Sequence, residues 1–263
     1  MYYPKFAFIF DLDGTLYIED ELISGAKETL EWVRKTGSKV RFVTNNPRYS
    51  REYYARKLTH LGIPALESEV LTSANFTAIY LKQTINKNKA IFVIGEQELK
   101  KECYNTGLRL TERPDADIVI VSFDTTLSYD KIYTGHQALI KGARFFATNP
   151  DFVCPGPNGG LPDAGAIIAA LQASTGKKLE LVFGKPSNIL AHYLTKELHL
   201  SPSRCIVVGD RLNTDILFGN KNNMFTVWIN NSKTNRPVHK KLKPNRVIYS
   251  IGDLPGAISD LFM

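Results

Sequence analysis

Short apolar, β-rich runs recur along the chain, and stretches with helical spacing separate them. Residues 6–10 (FAFIF), 40–43 (VRFV), 70–71 (VL), 205–208 (CIVV) and 225–229 (FTVWI) are dominated by apolar side chains. Such runs suit strands of a parallel sheet covered on both faces, where neither side of the strand meets water. Residues 25–36, 50–61, 73–82, 187–199 and 213–219 place apolar positions three and four apart, the period of a helix with one buried face. Strand and helix alternate, which predicts right-handed crossovers and a doubly wound α/β layer around a parallel sheet. In such sheets ligands bind outside the C-terminal strand ends, so the residues that follow each strand are the candidates for chemistry.

A middle block interrupts this order. Residues 90–94, 117–123 and 144–148 form a second set of strand-like runs with helical stretches between them. The pattern predicts a core of residues 1–85 and 179–263, with a smaller α/β cap domain, 86–178, inserted into it. The polar junctions Asn86-Lys-Asn-Lys89 and Thr175-Gly-Lys-Lys178 serve as hinge linkers in this reading.

Composition narrows the function classes. Of the 263 residues 43% are hydrophobic and 22% charged, which favours a globular chain over a disordered one. No apolar run reaches the length of a membrane span, and the N-terminal segment has neither the apolar length nor the cleavage site of a signal peptide. Cys103, Cys154 and Cys205 are far apart and form no CxxC pair, so a reducing cytoplasm is the expected location. The net charge of +7 raises the question of nucleic acid. The basic residues concentrate only at 236–246, without interleaved aromatics or a recognised motif. Nucleic acid is therefore not an expected partner, and that stretch is either a solvated loop or an anion-attracting patch.

Four strand ends carry the candidate chemistry. The first, Phe8-Ile-Phe-Asp11-Leu-Asp13-Gly14-Thr15, runs a buried strand into two aspartates two residues apart. Alternate side chains of a strand point the same way, so both carboxylates can face one pocket. Two ionised carboxylates at that distance repel unless a cation or a shared proton lies between them, and magnesium is a hard cation that takes oxygen ligands. A plain Asp-Leu-Asp-Gly turn is the alternative. The second, Arg41-Phe-Val-Thr44-Asn45-Asn46, offers a hydroxyl and two amides as neutral donors for phosphate oxygens, although Thr-Asn-Asn is also a common loop. The third, Leu181-Val-Phe-Gly184-Lys185-Pro186-Ser187, sets a lysine between a strand and a helix start, either as a point charge for an anion or as a solvated side chain. The fourth, Cys205-Ile-Val-Val-Gly209-Asp210-Arg211-Leu-Asn-Thr-Asp215, again empties a buried strand into acid, and Asp215 either joins the chemistry or caps its helix.

Taken in this order, the four resemble the sequence motifs of the haloacid dehalogenase superfamily, over nearly the whole chain. The insertion between the Thr44 and Lys185 motifs resembles the class IIA cap. Thr72-Ser-Ala, Ala147-Thr-Asn-Pro-Asp151, Pro162-Asp-Ala-Gly165 and residues 209–215 are similar to stretches of NagD-like and p-nitrophenyl phosphatases. The resemblance implies a magnesium-dependent phosphatase of small soluble phosphate esters (sugar phosphates, nucleotides or pyridoxal phosphate, with p-nitrophenyl phosphate as an artificial substrate). It implies Asp11 as nucleophile forming an aspartyl-phosphate, and Asp13 as general acid and then base. Magnesium would be held by Asp11, the Asp13 carbonyl and Asp210, with Asp215 behind them. Thr44, Asn45, Asn46 and Lys185 would hold the phosphoryl oxygens.

The chain departs from the branch pattern at Pro47, at Lys221-Asn-Asn-Met224 and at Asn230-Asn-Ser-Lys-Thr234. These departures bear on the substrate channel and on a possible homo-oligomer through the cap, not on the acids. Substrate choice is expected in the cap, with residues 124–129, Cys154 and residues 163–165 as candidates. The rival readings are a phosphotransferase or mutase that uses the same phospho-aspartate, and a non-enzymatic module that docks an anionic partner.

Overall fold

The computed structural model describes residues 6–156, 159–231 and 239–262. Arg236 of the basic stretch, and Ser232 to Thr234 of the loop after residue 231, lie outside the described residues. The chain divides into two compact units, Met1–Thr44 with Glu52–Leu71 and Pro186–Met263, and Asn45–Arg51 with Thr72–Lys185.

The first unit is built on a six-stranded sheet. Its order is Arg246–Ile248, Phe225–Ile229, Cys205–Gly209, Ala7–Phe10, Lys39–Thr44 and Val70–Thr72. Ala7–Phe10 pairs in parallel with Cys205–Gly209 on one side and Lys39–Thr44 on the other. The chain leaves Ala7–Phe10 toward one edge and returns to fill the other, so the strand order reverses beside it. In a doubly wound sheet that reversal opens the crevice where ligands bind. The near-continuous apolar strands are buried on both faces, as their sequence predicted, with Phe8, Phe10, Phe42, Ile206 and Val208 in one core cluster. Helix Ala26–Lys35 turns Leu30 and Val33 into that cluster. Full burial of such a side chain contributes about 1.5–3 kcal/mol. Gly25 precedes the helix at φ 86°, and a Cβ there would stand 2.8 Å from the Gly252 Cα, so that crossing needs glycine.

The second unit holds a five-stranded sheet in the order Leu181–Val182, Arg144–Ala147, Ile118–Val121, Ala90–Ile94, Arg109–Leu110, with parallel pairs throughout. Helices Tyr129–Ile140 and Ala164–Thr175 pack on each other and on the sheet over a core of Phe92, Ile94, Val119, Val121, Phe145 and Leu171. Two findings differ from the sequence reading of the block 86–178. Helix Ser73–Thr84, capped by the Thr72 hydroxyl accepting from Asn75 N at 3.1 Å, packs on helix Gln97–Asn105 and belongs to this unit. Leu181–Val182 also joins this sheet, because it finds its ladder partners in Phe146 and Ala147.

Candidate active site

The first unit brings Asp11, Asp210 and Asp215 together. Each offers a carboxylate oxygen, and the three oxygens lie within 4.8 Å of one another. Their convergence follows from the sheet. Asp11 and Asp210 are the residues after two adjacent parallel strands, and Asp11 N still donates to the Val208 carbonyl at 3.0 Å, extending the ladder to the site. Asp215 is buried in a π-helical turn, Leu212–Ile216, where its Oδ2 accepts from Arg211 N at 3.1 Å. Such turns occur frequently at functional sites. Asp215 is thus a member of the acidic cluster and not an N-cap of its helix. A Cβ on Gly209 would run into the Asp215 carboxylate, so that strand end can only be glycine.

Electrostatics at the cluster is unfavourable without a counter-charge. Burial pushes the Asp210 carboxyl from its ordinary 3.8 up to about 7, with the neighbouring Asp11 and Asp215 adding to the rise and Arg211 opposing it. Three acids held this close fit a hard divalent cation through oxygen ligands. Asp13 follows Asp11 by two residues and is half-buried. Gly14 turns the loop at φ 82°, its N–H donating to the Tyr17 carbonyl at 2.8 Å. The Gly14 Cα lies against Asp210, since a Cβ there would sit 2.6 Å from Asp210 Oδ2. Thr15 Oγ1 faces Asp210 Oδ1 at 3.5 Å. Sequence reasoning missed Tyr17, a fully buried phenol pushed far above its ordinary pKa by burial, and next by the charge of Asp13. Its position six residues after Asp11, at the start of the short strand Tyr17–Ile18 that follows the loop, was the available signal.

Thr44 ends the strand Lys39–Thr44 and is buried. Asn45 and Lys185 are brought together in the second unit. Asn45 Oδ1 accepts from Lys185 N at 2.8 Å, while Asn45 Nδ2 donates to the Lys185 carbonyl at 2.9 Å and to Asp151 Oδ2 at 2.8 Å. Both ends of the amide are therefore engaged by protein. Asn45 holds the backbone around the buried Lys185, a role the sequence reading did not assign to it. Asn46 Oδ1 accepts from Arg48 N at 3.2 Å. Asp151 extends the network to Asn149, whose Nδ2 also donates to Asp163 Oδ1 at 3.1 Å.

Comparison with known proteins identifies the family. A haloacid dehalogenase-like hydrolase profile matches residues 8–109, and a HAD-hydrolase-like profile matches residues 182–254. The chain is 33% identical to sugar-phosphatase AraL of Bacillus subtilis, over 94% of this chain and 90% of that protein. The crystal structure of a 4-nitrophenylphosphatase from Thermotoga maritima superposes with a TM-score of 0.86 at 32% identity, covering 96% of this chain and 97% of that one. A glycerol phosphate phosphatase from Mycobacterium tuberculosis, solved in complex with magnesium, gives a TM-score of 0.85 at 28% identity, over 95% of this chain and 76% of that one. The strand-end acids, the parallel sheets and these relatives lead to one conclusion: the chain belongs to the haloacid dehalogenase superfamily, in its NagD-like, p-nitrophenyl phosphatase branch.

Proposed function

We propose that this chain hydrolyses small phosphate monoesters through a phospho-aspartate on Asp11, with magnesium as the cation of the acidic cluster. The observation that carries the reading is the convergence of Asp11, Asp210 and Asp215 at the sheet's reversal point. Family membership supports the phosphatase activity itself, since relatives of this branch are named for small phosphate esters. Asp11 and Asp210, with the Asp13 carbonyl, would hold the cation, and the magnesium in a related structure supports that choice. When bound, the cation offsets negative charge between the nucleophile and the phosphate.

The chain's own residues divide the reaction into two displacements. The Asp11 carboxylate attacks phosphorus in line, and the bond to the leaving alcohol breaks as the new P–O bond forms. Asp13 gives its proton to the leaving oxygen, then takes one from the water that attacks the phospho-aspartate and frees phosphate. Thr44, Asn46 and Lys185 are assigned to the phosphoryl oxygens, and Asn45 acts through Lys185 by holding its backbone. The block 86–178 is assigned to substrate selection and the remainder to chemistry. A cytoplasmic setting is assigned from the wide spacing of the three cysteines in the chain; separately, among the described residues no helix is long and apolar enough to cross a membrane.

A phosphate-release screen over several dozen phosphomonoesters tests the proposal. Magnesium-dependent release from small esters is expected, together with its loss on chelation. Transfer of phosphate to an added alcohol in place of water would favour the phosphotransferase reading, and turnover undiminished by exhaustive chelation would overturn the metal assignment.

A further inference from the structure

Two side chains outside the acidic cluster hold the loops that carry it. The strand Phe225–Ile229 lies beside Cys205–Gly209, with Trp228 in register opposite Gly209. Trp228 is buried, and its indole Nε1 donates to the backbone carbonyl of Asp210 at 2.8 Å. Three residues on, Asn231 Nδ2 donates to the backbone carbonyl of Gly14 at 2.8 Å. One acceptor belongs to the loop of Asp210 and the other to the loop of Asp11 and Asp13. The same two loops meet directly where the Gly14 Cα lies against the Asp210 carboxylate.

We propose that Trp228 and Asn231 form a clip that fixes the spacing of these two loops, and so the approach of Asp210 to Asp11. Both are positioning residues. Asp210 lies one residue past the end of its strand, Gly209, where the sheet ladder no longer restrains it. Like charges on Asp11 and Asp215 push against its carboxylate there. A tie to the backbone carbonyl opposes that push and leaves the carboxylate oxygens to a cation. An indole N–H is a donor only and a buried one needs an acceptor, so the position of Trp228 defines where the Asp210 peptide must lie. Asn231 does the same for Gly14 from the other end of the strand's exit. The inference rests on the reading of the cluster as a metal centre. Partners that orient ligands in this way are typically worth about 10–100-fold in metal affinity.

The test measures Mn²⁺ binding by electron paramagnetic resonance on the purified full chain, beside kcat and KM for p-nitrophenyl phosphate. Trp228→Phe keeps most of the ring and removes the donor, and Asn231→Ala changes an exposed side chain. Each should weaken Mn²⁺ binding about tenfold and lower kcat, with KM and melting temperature little changed. Trp32→Phe, at the remaining tryptophan, is the control and should leave Mn²⁺ binding, kcat and KM as they are, since Trp32 packs on Phe8 and Phe262 away from both loops. Should Trp228→Phe fail to fold, Asn231→Ala decides alone. Wild-type affinity in Asn231→Ala, with none lost in a folded Trp228→Phe, overturns the clip and leaves the metal centre standing. Absence of Mn²⁺ binding in the wild-type protein overturns the metal centre itself, and the clip with it.

Discussion

Replacing Asp210 by asparagine should stabilise the metal-free protein near neutral pH while destroying its response to magnesium. The Asp210 carboxyl rises from 3.8 in its ordinary state to about 7 in the fold, driven first by burial and then by Asp11 and Asp215. A carboxyl raised in the folded state contributes stability that is fully present below its unfolded value near 3.8. That contribution is lost as pH climbs through 7, because the unfolded chain ionises first. The loss amounts to on the order of 4 kcal/mol at 1.36 kcal/mol per pH unit, and it belongs to the coupled cluster rather than to one residue. An amide at 210 does not ionise, so the gap in stability between Asp210→Asn and wild type should open between about pH 4 and pH 8. At about 2–4 °C per kcal/mol for a chain of this size, the melting temperatures should separate by roughly 8–16 °C once the loss is complete. Both tryptophans, Trp32 and Trp228, lie in the unit that holds the cluster, so intrinsic fluorescence follows the melting of that unit selectively. The scan is run in EDTA from pH 5 to 8 and repeated with saturating magnesium. A cation at about 100 times its dissociation constant restores about 2.7 kcal/mol to wild type. It should restore nothing to Asp210→Asn. Parallel pH profiles for the two metal-free proteins would refute the reasoning, because the acids would then not be in electrostatic conflict.

Asp11→Asn should abolish phosphate release and leave the circular dichroism spectrum unchanged, since only an ionised carboxylate at that strand end attacks phosphorus; residual turnover at the wild-type level would remove Asp11 from the mechanism. Asp13→Asn should cost most for alkyl phosphates and least for p-nitrophenyl phosphate, whose leaving group needs little protonation, and equal losses across a leaving-group series would contradict the acid role. Gly14→Ala forces a Cβ to 2.6 Å from Asp210 Oδ2 at φ 82°. It should lower stability by about 1–3 kcal/mol and weaken cation binding, read by calorimetry. Lys185→Met keeps the buried stem and removes the charge, and it should reduce kcat by about 10²–10³-fold with the fold retained.

The parts of the site that were legible in the sequence share one physical cause. A strand buried on both faces must be apolar almost without break, so the acids that end Ala7–Phe10 and Cys205–Gly209 stand out against their own strands. Parallel neighbours then bring residues 11 and 210 together, although about two hundred positions separate them in the chain. The less visible parts depend on partners that no local pattern specifies. Leu181–Val182 reads as one more apolar strand, and only its pairing with Phe146 and Ala147 tells which sheet it joins. Arg109–Leu110 is an edge strand of two residues with no alternation to detect. Asn45 is chemically suited to a phosphate and equally suited to a backbone, and the structure engages both ends of its amide with Lys185 and Asp151. The π-helical turn at Leu212–Ile216 also escapes the 3.6-residue period, and it is this turn that carries Asp215 into the cluster.

The same logic sorts the residues expected to choose the substrate. Asp124 is buried, and its carboxylate accepts from Lys131 Nζ at 2.7 Å and from Thr126 Oγ1 at 2.7 Å. Asp163 is buried as well, bonded to Ala164 N and to Asn149 at the start of helix Ala164–Thr175. A buried carboxylate that already satisfies its lone pairs within the unit is structural first, because removing it strands its donors at a cost of about 1–3 kcal/mol each. Gly165 is constrained too, since a Cβ there would meet the carbonyls of Pro150 and Asp151 at 2.8 Å. Tyr129 differs from all of these. It is 81% exposed at the first position of helix Tyr129–Ile140 and stacks on its neighbour Tyr133, at 6.5 Å between ring centres. Among the candidates read from the sequence, Asp124 and Asp163 are bonded within the second unit, whereas residues 125–129 are exposed and have surface to offer a ligand, Tyr129 the most extended of them.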